Sequence, residues 1–273
     1  MISWFRNWNV IIGTFIITVF VLIGFFAPFI APYHYAEPHY GATLESPSLK
    51  HLFGTDRMGR DTFSRVIYGT RTALISAFSA AGLAGVVGIS LGMIGGYFGG
   101  KWDRLVQSLI DINFSFPTIL LAIALVVVLQ PGQASIVIAI VVSWWPYYAR
   151  LVRGEVLATR KEDFVEAARA LGSSHLRIIW KEILPNTIPM IVVVISITMG
   201  QVILIVTLLS FLGLGVQPPK ASWGMMLSES RDFLGRAPWL SVFPGVAISL
   251  VVLGFNMLGD GVRDQLDPYL RSE

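Results

Sequence analysis

The chain has 273 residues, a formal net charge of +3 and a mean hydropathy of +0.68. Of these residues 54% are hydrophobic and only 14% charged, where a soluble domain carries about 25% charged residues. The composition therefore belongs to an integral membrane protein. The absence of cysteine excludes disulfides, thiolate metal sites and a cysteine nucleophile, and no long basic run points to nucleic acid.

Six apolar runs approach the ~20 residues that a bilayer core demands. The first covers about 10–30 and is closed by Pro28 and Pro32. It is too long for the core of a signal peptide and reads as a retained span. A polar interval rich in Pro, His and Tyr follows to about Arg71. The second span is expected at about 72–97. Gly88, Gly92 and Gly96 on it recur every four residues, as do Ala77, Ala81 and Gly85, a pattern that lets helices approach closely in lipid. The third is expected at about 105–129, ended by the turn Gln130-Pro131-Gly132-Gln133, and the fourth at about 134–149. The fifth and sixth are expected at about 188–212 and 240–258.

Between spans four and five lies a polar, amphipathic interval at about 154–186. Phe164, Ala167, Ala168 and Leu171 recur at helical spacing, as do Leu176, Ile179, Trp180 and Ile183. Gly172-Ser173-Ser174 separates the two halves, with Ser174 as N-cap of the second. The spacing predicts a helix–turn–helix across the end of a membrane bundle. Taken without context, the same residues fit a surface helix with an Ala-rich stripe and a Glu166/Arg169 pair.

Lysine and arginine placement orients the spans. With the amphipathic interval in the cytoplasm, Arg150, Arg153, Arg160, Lys161, Arg169, Arg177 and Lys181 lie inside, together with Arg6, Lys101, Arg104, Arg263 and Arg271. The smaller outer set is Lys50, Arg57, Arg60, Arg65, Arg71, Lys220, Arg231 and Arg236. Both termini come out cytoplasmic. Trp144, Trp145, Tyr147 and Tyr148 read as an interfacial aromatic belt.

Few side chains suggest chemistry. Gly95 to Lys101 matches a phosphate-loop spacing, but residue 102 is Trp, where a hydroxyl would hold magnesium, and a membrane helix rather than a strand precedes it. An aspartyl dyad would need Asp260 and Asp111 face to face, and nothing in the sequence brings them together. Asp111 is an ionisable group near a span and so a candidate pathway residue; otherwise it pairs with Arg104 or a neighbouring subunit. Gln201 and Thr198, with Ser196 and Thr207, put polar atoms along span five, either bonding between helices or lining a pathway. His34, His39 and His51 share the outer loop at a spacing that fits no standard metal site.

The run Glu166-Ala167-Ala168-Arg169-Ala170-Leu171-Gly172 with Ile183-Leu184-Pro185-Asn186 resembles the Glu-Ala-Ala loop of bacterial ATP-binding-cassette importer permeases. Glu182 stands where that pattern has isoleucine. His51 to Asp61, Ser210 to Val216 with Trp223-Gly224, and Phe243-Pro244-Gly245 with Gly259-Asp260 and Leu266-Asp267-Pro268 are similar to the C-type permease subunit of dipeptide, oligopeptide and nickel importers.

The resemblance implies an all-α type I importer permease with six transmembrane helices in the bacterial inner membrane. It implies an N-terminal part over 1–71 and a core permease domain over 72–273. It also implies Glu166, Ala167, Ala168, Gly172, Leu184 and Pro185 as the contact to an ATPase. Expected partners are a second permease, two ATPase subunits and an extracytoplasmic solute-binding protein. The chain itself is expected to be no enzyme and to bind no cofactor, ATP and magnesium sitting on the partner subunits. Peptides are the expected solute and nickel the alternative within the family. An ion-coupled secondary transporter or a membrane scaffold is the alternative outside it.

Overall fold

A computed structural model describes residues 7–39 and 41–266. Expectations that rest on Arg6, Asp267, Pro268, Arg271 or the chain ends lie outside those residues. The described residues are helical apart from loops and one isolated bridge, Thr55 to Asp61. Five helices are long and apolar enough to cross a membrane, and a bent pair supplies a sixth crossing when counted as one.

The first helix, α1 (Trp8–Phe25), is capped by the Asn7 side chain and breaks at Phe26. A single turn, α2 (Ala27–Ile30), carries Pro28 in its first positions, where the missing N–H does no harm. The second span, α3 (Thr62–Phe98), starts ten residues before the expected boundary. Its first three turns are polar, yet Thr62, Ser64, Arg65 and Thr70 are buried. The reason lies in the preceding loop, which is packed onto them.

That loop forms an ordered cap. Gly54 and Gly59 take positive φ, and a β-carbon on either would strike backbone of the loop, Glu45 O or His39 O. Phe53 stacks on Phe243 at 3.7 Å, and Asp61 caps α3 by accepting from Ser64 N at 2.8 Å. Four buried or nearly buried charges balance in sign. Arg60 reaches Asp56 at 2.6 Å and Glu229 at 3.0 Å; Arg65 reaches Glu229 at 3.2 Å and Asp56 at 3.6 Å. His51 is fully buried against Asp61 at 2.9 Å.

The glycine repeat on α3 turns inward. A β-carbon at Gly92 would stand 2.7 Å from Ala149 O, and one at Gly96 2.8 Å from Val156 Cβ. These glycines let α3 lie against α6 (Gln133–Thr159), which runs ten residues past the expected end of span four. The small-residue face is thus used within the chain and offers nothing to a partner. The aromatic belt is also partly internal: Tyr148 is buried and shares a 2.7 Å hydrogen bond with Thr198 on α9 (Leu184–Phe211).

The third span is not continuous. It consists of α4 (Gly100–Phe114) and α5 (Thr118–Leu129), bent by 84° at the break before Thr118. Pro117 ends α5's reach toward α4 because proline disfavours helix in the residue before it. The twelve residues of α5 cover only about 18 Å, while amphipathic α4 buries Val106 and Ile110 alone. Gly95 and Gly96, from the phosphate-loop look-alike, sit inside α3, and Gly99 and Gly100 make the positive-φ turn into α4.

Short α10 (Trp223–Ser230) and the last helix, α11 (Trp239–Leu266), complete the bundle. Trp223 is buried and donates to Val66 O at 2.9 Å. Near the end of α11, Gly259 meets Ile197 and Gly261 meets Val10, so α11 is held between α9 and α1.

Candidate functional site: the loop between α6 and α9

The interval between spans four and five folds as the spacing predicts. Helix α7 (Asp163–Ala170) leads to a turn in which Gly172 has φ +75°. Next comes α8 (His175–Ile178), with Ser174 as N-cap, accepting from Arg177 N at 3.4 Å. A wide π turn, Ile179–Ile183, then feeds α9. Proline explains the widening: Pro185 has no N–H to give to the carbonyl four residues back, and Leu184 N bonds five back, to Ile179 O. The Asn186 side chain caps Glu182 O at 2.5 Å.

The inward face is Val165, Ile178 and Ile183, all fully buried against Met93, Tyr97, Val152, Val156 and Ile191. Ala168, Ile179 and Leu184 pack partly against the same cluster. The two alanines expected at the ATPase contact stand on different sides of α7. Ala167 is exposed, while Ala168 turns to the bundle. One residue of helix advance rotates the chain by about 100°, and Val165, not Phe164, sets which side is covered.

The outward face is apolar nonetheless. Phe164 is 40% exposed, Leu171 87%, Leu176 67% and Trp180 65%, with Ala167, Glu166 and Pro185 exposed beside them. A short stretch showing four large apolar side chains on a polar loop marks an interaction surface. Glu166 and Arg169 form no ion pair among the described residues.

The loop is tied to the spans by contacts that sequence spacing did not reveal. Tyr97 Oη and His175 Nδ1 are hydrogen-bonded at 2.9 Å, joining the C-terminal end of α3 to the start of α8. Arg160 Nη1 donates to Gly96 O at 2.9 Å, taking a carbonyl that the end of α3 would leave open. Arg153 on α6 grips Asp103 on α4 through two nitrogens, at 2.5 and 2.9 Å. Tyr97, Phe98, Arg160, Lys161, Glu166, Arg169 and His175 enclose a cleft of about 510 Å³. The partners lie fifty or more residues apart in sequence, so no local periodicity could have paired them.

The other candidates separate. Thr198 is buried and bridges to Tyr148, so it bonds between helices. Gln201 is exposed on α9. Asp111 is exposed and reaches Arg150 at 3.8 Å and Gln107 at 2.8 Å; of the alternatives for it, the pair with Arg104 does not form among the described residues. Asp260 is exposed on α11.

Comparison with known proteins matches residues 88–272 to the family described as binding-protein-dependent transport system inner membrane component. Residues 2–47 match the N-terminal TM domain of oligopeptide transport permease C. The dipeptide transport system permease protein DppC of Alkalihalophilus pseudofirmus is 47% identical, over 98% of this chain and 88% of the relative. The glutathione transport system permease protein GsiD of Escherichia coli O157:H7 is 43% identical, over 93% and 84%; that of Pectobacterium atrosepticum is 42% identical, over 95% and 86%. Among solved structures, an inward-facing conformation of the MetNI methionine ABC transporter superposes with a TM-score of 0.62 over 74% of this chain and 97% of that one. At 21% identity it shares the fold. Six-span architecture, a loop between α6 and α9 presented at one end, and these matches lead to one statement: the chain belongs to the family of inner membrane components of binding-protein-dependent transport systems.

Proposed function

We propose that the chain is one permease half of an ATP-driven importer for small peptides. The observation that carries it is the two-sided loop between α6 and α9. One side is buried on three helices and latched through Tyr97 and Arg160; the other presents Phe164, Ala167, Leu171, Leu176 and Trp180. Such a loop passes a push on its outer face straight to the inner ends of α3, α6 and α9. The chain has no phosphate loop, so the push comes from elsewhere: an ATPase subunit with a groove for α7.

A second, different permease completes the pathway, two ATPases drive it, and an extracytoplasmic solute-binding protein loads it. Gln201 is the polar group on α9 best placed for the pathway or the other permease, since an exposed amide in lipid lacks partners. Peptide is the solute class because dipeptide and glutathione permeases are among the relatives, and no observation favours nickel or ion coupling. Alternating access follows if the loaded binding protein and ATP favour different states.

The test uses Ala167→Trp, which blocks the groove without touching the chain's own core, and Gly172→Val, which strains a left-handed turn. Membrane level, ATPase co-purification and uptake of a labelled dipeptide are measured in cells carrying the whole system. Normal membrane level with ATPase association and uptake lowered about tenfold or more, as loss of a packed contact implies, supports the reading. Unchanged uptake in both variants removes the loop from coupling.

A further inference from the structure

Two clefts meet at Arg71 near the outer end of α3. One is an apolar groove of about 420 Å³ between α1 and α3, lined by Val21, Gly24, Phe25, Leu74, Ile75 and Phe78, with Arg71 at its edge. The other, of about 280 Å³, is polar and opens beside it; Arg71 and Ile75 line both, and Tyr35, Tyr68, Gln133 and Lys220 complete it. Arg71 and Lys220 are exposed, and neither makes an ion pair among the described residues. The rings of Tyr35 and Tyr68 pack with centroids 4.7 Å apart, tilted by 57°.

Position along the helix fixes the environment. Arg71 lies 26 residues before Tyr97 on unbroken α3, a rise of about 39 Å. A bilayer with its headgroups is about 40–45 Å thick, so with Tyr97 at the inner interface Arg71 stands among the outer headgroups. Paired tyrosines are the interfacial residue type, and two unpaired cations above an apolar groove complement a molecule with an anionic head and a hydrocarbon tail.

We propose that this is a site for one anionic phospholipid of the outer leaflet. Its phosphate is held by Arg71 and Lys220, with the Tyr68 hydroxyl and the Gln133 amide in reach of the headgroup, and an acyl chain lies in the α1–α3 groove. The site staples α1 to the core. Gly24 keeps the groove floor open: a β-carbon there would stand 3.4 Å from Arg71 Cα, in ordinary contact, and a longer side chain would enter the groove.

The experiment uses the importer assembled with its co-purifying subunits in nanodiscs, and phosphatidylglycerol or phosphatidylcholine carrying a photoreactive group in the acyl chain. Adducts are mapped by mass spectrometry. Phosphatidylglycerol is expected to label Val21–Phe25 and Leu74–Ser79. Labelling falls about tenfold in the Arg71→Gln/Lys220→Gln double variant, as loss of charge-assisted bonds to phosphate implies. It survives in Arg71→Lys and disappears in Gly24→Leu, which fills the groove. Unchanged gel-filtration profiles establish that the exposed substitutions leave the assembly folded. Equal labelling by phosphatidylcholine and insensitivity to the double variant would overturn the proposal in favour of unselective annular lipid. Absence of labelling with an Ile75→Cys cross-link to the other permease would assign the groove to that subunit. Loss of labelling on adding a transported dipeptide would assign it to the solute.

Discussion

Arg60, Arg65, Asp56 and Glu229 illustrate how a membrane protein places charge at one end of its bundle. The two cations and two anions lie within 3.6 Å contacts of one another, and all are less than a sixth exposed. The set is neutral only as a whole. Glu229→Gln would leave two guanidinium groups facing one carboxylate, and breaking a buried pair costs about 3–5 kcal/mol. We expect Glu229→Gln to lower the melting temperature of the detergent-solubilised protein by many degrees. Adding Arg65→Met, which restores neutrality, should recover most of the loss. A double variant no better than the single one would mean that packing, not charge balance, holds the cap.

At the scale of elements, the most extensive packing is between α3 and α6. Gly92→Val puts a branched side chain where a bare β-carbon already stands 2.7 Å from a backbone oxygen. Overpacking of this kind costs about 1–3 kcal/mol. The expected result is lower membrane abundance and melting temperature, with residual uptake scaling with the amount of protein; uptake lost at full abundance would contradict a packing role.

Most elements were legible because bilayer thickness imposes length and hydropathy together. Pro28, Pro131 and Gly172 marked ends and turns for plain steric reasons. Three features were hidden. The outer turns of α3 carry Arg65 and Ser64 and look like loop, since their burial depends on a cap that is distant in sequence. The bend before α5 was signalled by Pro117, yet the apolar run on either side overrode it. The side of α7 that faces the bundle turned on Val165, one position from the stripe that spacing selected. The turn at Gly172 was readable in the loop between α6 and α9, whereas the Tyr97–His175 latch was not, because a hydrogen bond between residues 78 apart leaves no periodic trace.

For the whole molecule, the consequence of α3 being a single helix of 37 residues is mechanical. It is a rod of about 55 Å, clamped at its N-terminal end by the charged cap and at its C-terminal end by Tyr97, Gly96 and the Arg160 guanidinium. A rod fixed at both ends transmits rotation with little loss, and this one has no interior proline or break at which to flex. One mouth of the pathway is therefore expected to open not by bending of α3 but by a tilt of that helix against the partner permease. Spin labels at Met58 and Trp102, one near each end, should keep their separation when ATP and loaded binding protein are added, while distances from either label to the partner permease change in opposite senses. A change within the subunit as large as that between subunits would show that the rod bends after all.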